Sequence, residues 1–113
     1  ENNVECNGLN FIKAEVENLK KIGCKNKVPH TGWNGINLKS KNVILNDFSG
    51  VSDFYFNHSY ALVPVNKDII VSTTIHEIEF ASIINYKNIY GMQFHPEKSG
   101  NAGKKLLKNF LSL

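Results

Sequence analysis

The sequence predicts an α/β chain built mostly of strands and closed by one helix at its C-terminus. Short β-branched and aromatic runs recur between polar, glycine- or proline-bearing breaks. A sustained period near that of a helix is clear only in the last dozen positions. The composition, 42% hydrophobic and 20% charged over 113 residues, is that of an ordinary globular chain of single-domain size, large enough to bury a core.

Leu9 to Val16 alternates, with Ile12, Ala14 and Val16 on one face and Lys13, Glu15 and Glu17 on the other, which predicts a half-buried strand. Lys20 to Lys27 is predicted as a lysine-rich loop. Gly32-Trp33-Asn34-Gly35 reads as a turn, followed by two short apolar pieces, Ile36 to Leu38 and Val43 to Leu45. Asp53 to Val65 is the longest strand candidate, ending at Pro64. Asp68 to Thr74 and Glu77 to Asn85 predict a hairpin with His76 to Glu79 at an exposed tip. Asn88 to Phe94 is a further strand, and Pro96, which has no N–H for a ladder, must stop it.

The helix is expected over Asn101 to Leu113, with Ser99 or Asn101 as its cap. Ala102, Leu106, Phe110 and Leu113 fall on one face, widened by Leu107 and Leu111, while Lys104, Lys105 and Lys108 lie largely opposite. Such a stripe on a short terminal helix is expected to dock on the chain's own sheet rather than on a membrane.

Charge and cysteine usage narrow the function. The net charge of +3 comes from thirteen lysines spread along the chain with no arginine, which argues against nucleic acid as a partner. No signal peptide and no apolar run of about eighteen residues is visible, so a cytoplasmic chain with free thiols and no membrane contact is expected. There is no CxxC pair, and His30, His58, His76 and His95 stand far apart in sequence. Neither a metal nor a cofactor is expected.

The chemically richest stretch is Gly91-Met92-Gln93-Phe94-His95-Pro96-Glu97-Lys98-Ser99. A strand delivers a histidine to its end, and a carboxylate follows two residues later. In extended backbone those side chains share a side, so Glu97 can accept from one ring nitrogen of His95, fix the tautomer and leave the other nitrogen to take a proton from a nucleophile. The same spacing also fits a capping or surface histidine followed by a first-turn acid.

Three blocks bear on that choice. Gln93-Phe94-His95-Pro96-Glu97 resembles the segment that completes the Cys-His-Glu triad of class I glutamine amidotransferases. Val28-Pro29-His30-Thr31-Gly32-Trp33-Asn34 and Phe54-Tyr55-Phe56-Asn57-His58-Ser59-Tyr60 resemble, in order and spacing, blocks of one branch of that family, the glutaminase subunits of imidazole glycerol phosphate synthase. The tail from Glu97 to Leu111 is similar to the same subunits, and the resemblance runs from about Gly8 to the C-terminus. Asn57 departs from the apolar residue usual at its place.

The resemblance implies a glutaminase that hydrolyses glutamine and passes ammonia to a cyclase subunit, a (β/α)₈ barrel, in histidine biosynthesis. A paralogue supplying ammonia to amidate a surface-polysaccharide sugar shares these blocks. It implies His95 as proton shuttle, Glu97 as its orienting acid, Ser59 and Tyr60 as holders of the glutamine α-carboxylate, and Trp33, Asn34, Tyr55 and Lys98 as barrel contacts. Without the resemblance, an aromatic-rich strand such as Phe54 to Phe56 is core, and His58 is a hydrogen-bonded core histidine.

The family's nucleophile stands on a Gly-x-Cys-x-Gly elbow. Cys6 has Val4 and Gly8 two residues either side, and Cys24 has Ile22 and Asn26, so neither matches it. Residues 1–113 are therefore expected to correspond to the C-terminal portion, a little over half, of one amidotransferase domain. Such a domain pairs a largely parallel central sheet with a subsidiary antiparallel layer. The chain by itself is expected to be inactive, which leaves a non-catalytic interaction module as a further reading, and either to self-associate through an exposed sheet edge or to fold poorly.

Overall fold

A computed structural model describes residues 5–48 and 52–113. Among these residues eight strands precede one α-helix: β1 Ala14–Asn18, β2 His30–Gly35, β3 Asn37–Leu38, β4 Asp53–His58, β5 Tyr60–Pro64, β6 Ile70–His76, β7 Ile78–Tyr86, β8 Ile89–Met92 and α1 Gly100–Leu111. Short 3₁₀ turns occupy Val43–Leu45, Lys67–Ile69 and Pro96–Lys98. The chain is thus mostly strands with one C-terminal helix, as the sequence predicts. Val4, compared above with an elbow glycine, lies outside the described residues.

Every ladder among the described residues is antiparallel. β1 pairs with β5, β2 with β4, and β3-β6-β7-β8 form a four-stranded sheet. Alternation on β4 sends Phe54, Phe56 and His58 inward and leaves Asp53 and Asn57 exposed. Phe54 stacks on Phe94 and Phe56 meets it edge-on, and Leu19, Ile44, Ile83 and Leu106 belong to the same core, which joins the ribbons, the sheet and the helix. Burying each of these side chains stabilises the fold by about 1.5–3 kcal/mol. Asn57, exposed and within 3.3 Å of Thr31 Oγ1, shows why a polar residue is tolerated there.

Several elements differ from the sequence expectation. The first strand begins at Ala14 rather than Leu9, and Val16 is 63% exposed. β1 belongs to a two-stranded ribbon, so its alternation has no second layer to bury Val16, and the core position falls to Leu19 just beyond. Gly32 to Gly35 is strand rather than turn. Its pairing with β4 along six residues overrides the local preference of a glycine-rich tetrapeptide. Asp53 to Pro64 breaks at Ser59, where the chain exchanges β2 for β1 as its ladder partner. Val43 to Leu45 closes into a 3₁₀ turn because the Asn42 side chain accepts from Ile44 N–H.

The hairpin β6–β7 forms as expected, but its tip is engaged. Glu77 sits at φ +65° and its carboxylate accepts from the backbone N–H groups of Lys25 (2.7 Å) and Asn26 (2.6 Å). This pins the loop that leads into β2. The Cys24 thiol is buried beside the same carboxylate and the His76 carbonyl, while Cys6 is exposed, and neither forms a disulfide. On α1, Leu106 and Gly103 are buried, yet Phe110 and, beyond the helix end, Leu113 are 42% and 61% exposed, so the predicted stripe is covered only in its first half. Among the described residues no helix is long and apolar enough to cross a membrane.

Candidate functional site

β8 and the segment after it place His95 beside β4, where its N–H donates to the Tyr55 carbonyl (2.9 Å). Pro96 then opens the 3₁₀ turn Pro96–Lys98, its fixed φ being suited to a first helical position. Glu97 therefore lies on a turn rather than in extended backbone, and the turn still carries its carboxylate back to the ring. His95 Nδ1 and Glu97 Oε2 are 3.2 Å apart, with side chains 40% and 56% exposed. The sequence-predicted pair is thus brought together, and the contact on Nδ1 directs Nε2 away from the acid.

Ser99 anchors this turn, a role the sequence signalled only as a helix cap. Fully buried, its hydroxyl donates to the His95 carbonyl (2.6 Å) and accepts from Tyr55 N–H (2.9 Å). It makes no side-chain capping bond to α1. Ser99→Ala leaves the Tyr55 N–H without that acceptor and is expected to cost about 1–3 kcal/mol. Urea unfolding reads the loss, and faster hydrogen exchange at the Tyr55 amide locates it.

The outer face of the β2–β4 ribbon gathers three of the four predicted partner-contact residues around this pair. Trp33, 58% exposed, faces its cross-strand partner Tyr55 edge-on at 6.1 Å, and the Tyr55 ring lies 6.5 Å from that of His95. Lys98 is exposed on the adjoining turn. Asn34 belongs to the opposite face. Its Nδ2 donates to the Ile75 carbonyl (2.8 Å) and its Oδ1 accepts from Gly35 N–H (2.8 Å), so its amide is committed inside the chain.

Ser59 and Tyr60 form the break between β4 and β5. The Ser59 carbonyl accepts from Leu19 N–H (2.8 Å), and the Tyr60 carbonyl accepts from His58 Nδ1 (2.7 Å). Behind them lies a histidine cluster that sequence separation concealed. His30 Nδ1 and His58 Nε2 are 2.9 Å apart, and the His76 ring stacks on His30 at 4.2 Å. Burial, reinforced by His76 and His58, pushes His30 down to about 4, and burial likewise lowers His58 against the opposing pull of the Tyr60 carbonyl. The strand register that pairs His30 with His58 could not be read without knowing that β2 is a strand.

No group of His, Cys, Asp and Glu side chains among the described residues is arranged to hold a metal ion. Two cavities, of ≈ 210 and ≈ 190 Å³, are lined mainly by apolar residues of β5 to β8, including Leu62, Ala81 and Met92, and include none of His95, Glu97, Ser59 or Tyr60. The His95–Glu97 pair is an open, half-exposed edge.

The class-I glutamine amidotransferase family model matches residues 5–113. The chain belongs to this family. It is 44% identical over 104 residues to imidazole glycerol phosphate synthase subunit HisH 2 of Methanococcus maripaludis, a match covering 92% of this chain and 51% of that protein. It is 50% identical over 102 residues to subunit HisH of Buchnera aphidicola, covering 90% of this chain and 47% of the relative. With subunit HisH of Pyrococcus furiosus the figures are 43% over 107 residues, 94% and 53%. The chain spans about half the length of the curated relatives it matches.

Proposed function

We propose that this class I amidotransferase chain supplies the histidine–glutamate pair and the glutamine-carboxylate segment of a cytoplasmic glutaminase that feeds ammonia to a cyclase (β/α)₈-barrel subunit, as imidazole glycerol phosphate synthase. The observation that carries this reading is the His95 Nδ1–Glu97 contact at 3.2 Å on a turn anchored to Tyr55 and Ser99. Similarity to HisH subunits supports the choice of reaction.

In this mechanism a cysteine thiolate attacks the carboxamide carbon of glutamine. His95 Nε2 takes the thiol proton and returns it to the departing ammonia, then activates water to release glutamate from the thioester. Glu97 orients the ring and stabilises its cationic form. Ser59 and Tyr60 hold the substrate α-carboxylate. Residues 1–113 hold no Gly-x-Cys-x-Gly elbow for the nucleophile, and Cys24 is buried against Glu77, on the loop and hairpin tip rather than beside His95.

Ammonia is a useful nucleophile only while unprotonated, so its source and its consumer must adjoin. The exposed Trp33, with Tyr55 and Lys98 next to His95, suits a barrel contact, the tryptophan serving as anchor. In the assembled glutaminase–cyclase pair, His95→Ala is expected to lower glutamine turnover on the order of 10³-fold or more with folding unchanged. Turnover within tenfold of the parent would sink the assignment. The 113-residue chain alone is expected to hydrolyse no glutamine above background.

A further inference from the structure

The cluster behind Ser59 and Tyr60 has a polarity that its two ends dictate. The Tyr60 carbonyl can only accept, so His58 Nδ1 carries the proton in their 2.7 Å bond. A neutral His58 then has a bare Nε2, and the 2.9 Å contact must be a donation from His30 Nδ1–H. That leaves His30 Nε2 bare, facing Asn34 Nδ2 at 3.3 Å. Asn34 is oriented independently, because its Nδ2 donates to the Ile75 carbonyl while its Oδ1 accepts from Gly35 N–H. Every link is satisfied in one sense only: Asn34 to His30 to His58 to the Tyr60 carbonyl. A proton added to either imidazole would set two donors face to face. Both rings are buried and packed among Phe56, Phe80 and His76, where an unmatched donor is costly.

The consequence falls on the backbone of Tyr60. The carbonyl before it is held by Leu19 N–H and the carbonyl after it by His58, so both peptide planes flanking Tyr60 are pinned. We propose that His58 and His30 are positioning residues that hold the Ser59–Tyr60 backbone in the orientation that receives the α-carboxylate of glutamine, with Asn34 setting the direction of the chain. This rests on the glutaminase reading and adds residues that never touch the substrate. Asn34 thereby serves the site from inside the ribbon, on the face opposite Trp33.

Imidazole ¹⁵N shifts of the labelled chain at neutral pH test the geometry. Protonated Nδ1 and bare Nε2 are expected on both His30 and His58, and protonated Nε2 on His76, which faces the Lys27 carbonyl at 2.8 Å. A protonated Nε2 on His58 would overturn the inference. In the assembled glutaminase–cyclase pair, His58→Leu is expected to raise KM for glutamine about tenfold with kcat within about threefold. His58→Asn, which keeps a donor near the Nδ1 position, should restore most of the loss. Equal KM in the parent and His58→Leu, or a uniform fall in kcat that His58→Asn does not rescue, would show a merely structural pair. The expected tautomers in an assembly that hydrolyses no glutamine would instead overturn the glutaminase reading.

Discussion

Gly103→Ala is expected to destabilise the chain by about 3 kcal/mol or more, through a steric conflict that no side-chain rotation relieves. A Cβ at this position would stand 1.8 Å from the Pro96 carbonyl oxygen and 2.8 Å from its carbon. Both are backbone atoms of the turn that carries Glu97, and the Ser99 Cβ lies 3.0 Å away on another side. Either α1 must lift from the turn or the turn must shift, and Leu106, fully buried one turn further along the helix, resists the first. The substitution therefore acts on the His95–Glu97 geometry as well as on stability. Urea unfolding measures the first effect, and amide shifts over residues 95–99 measure the second. Lys104→Ala, on the exposed side of the same helix, should stay within about 0.5 kcal/mol of the parent. An alanine variant as stable as the parent would show that helix and turn are not packed this closely.

Acidification from pH 7 to about 4 is expected to remove on the order of 3 kcal/mol of stability through His30 alone. His30 is 5% exposed, and its folded-state pKa stands at about 4 against 6.5 for an ordinary histidine. Between those values the unfolded chain binds a proton that the folded chain refuses, so stability is complete above pH 6.5, falls as pH falls, and levels off below about 4. His58, also lowered, adds to the slope in the same sense. Lys21 lowers Glu17 and Thr73 lowers Glu79, so both exposed carboxylates lose their contribution in the same sense as pH falls through the carboxylate range. Urea midpoints recorded from pH 7.5 to 4 test this. The decline should flatten in His30→Gln, and a parent profile level between pH 6.5 and 4.5 would contradict it.

The legible parts of the fold were those written in neighbouring residues. The β6–β7 hairpin and the terminal helix followed from patterns a few residues long, whereas β8 ends at Met92, before the proline expected to stop it. The proximity of His95 and Glu97 also followed, although a 3₁₀ turn replaced the extended geometry from which it was inferred. Gly32 to Gly35 misled because glycine and asparagine mark turns locally, while pairing with Asp53 to Phe56 holds them extended. The break at Ser59 was invisible for a related reason: composition is continuous across it, and only the exchange of ladder partners creates it.

Within the site, the same boundary separates what was found from what was missed. Ser99 sits in the sequence as an ordinary cap candidate, and its true partners, Tyr55 and His95, include one 44 residues away. Gly103 carried a faint signal, a second glycine three residues after Gly100 in a helix otherwise suited to leucine and lysine. The histidine cluster carried none, since His30 and His58 are 28 residues apart and meet only through strand register.

By itself the sequence determined the covalently local chemistry. Proline at 96 cannot extend a ladder, and it opens the turn that carries Glu97 back to the His95 imidazole. Tertiary structure decided everything that depends on which strands lie side by side: the anchoring of that turn by Ser99, the exposure of Trp33 beside Tyr55, and the neutral imidazole chain behind Tyr60. The physical reason is range. A backbone dihedral preference acts over one or two residues, whereas hydrogen bonds and burial act across space and choose among partners that local propensity leaves equivalent.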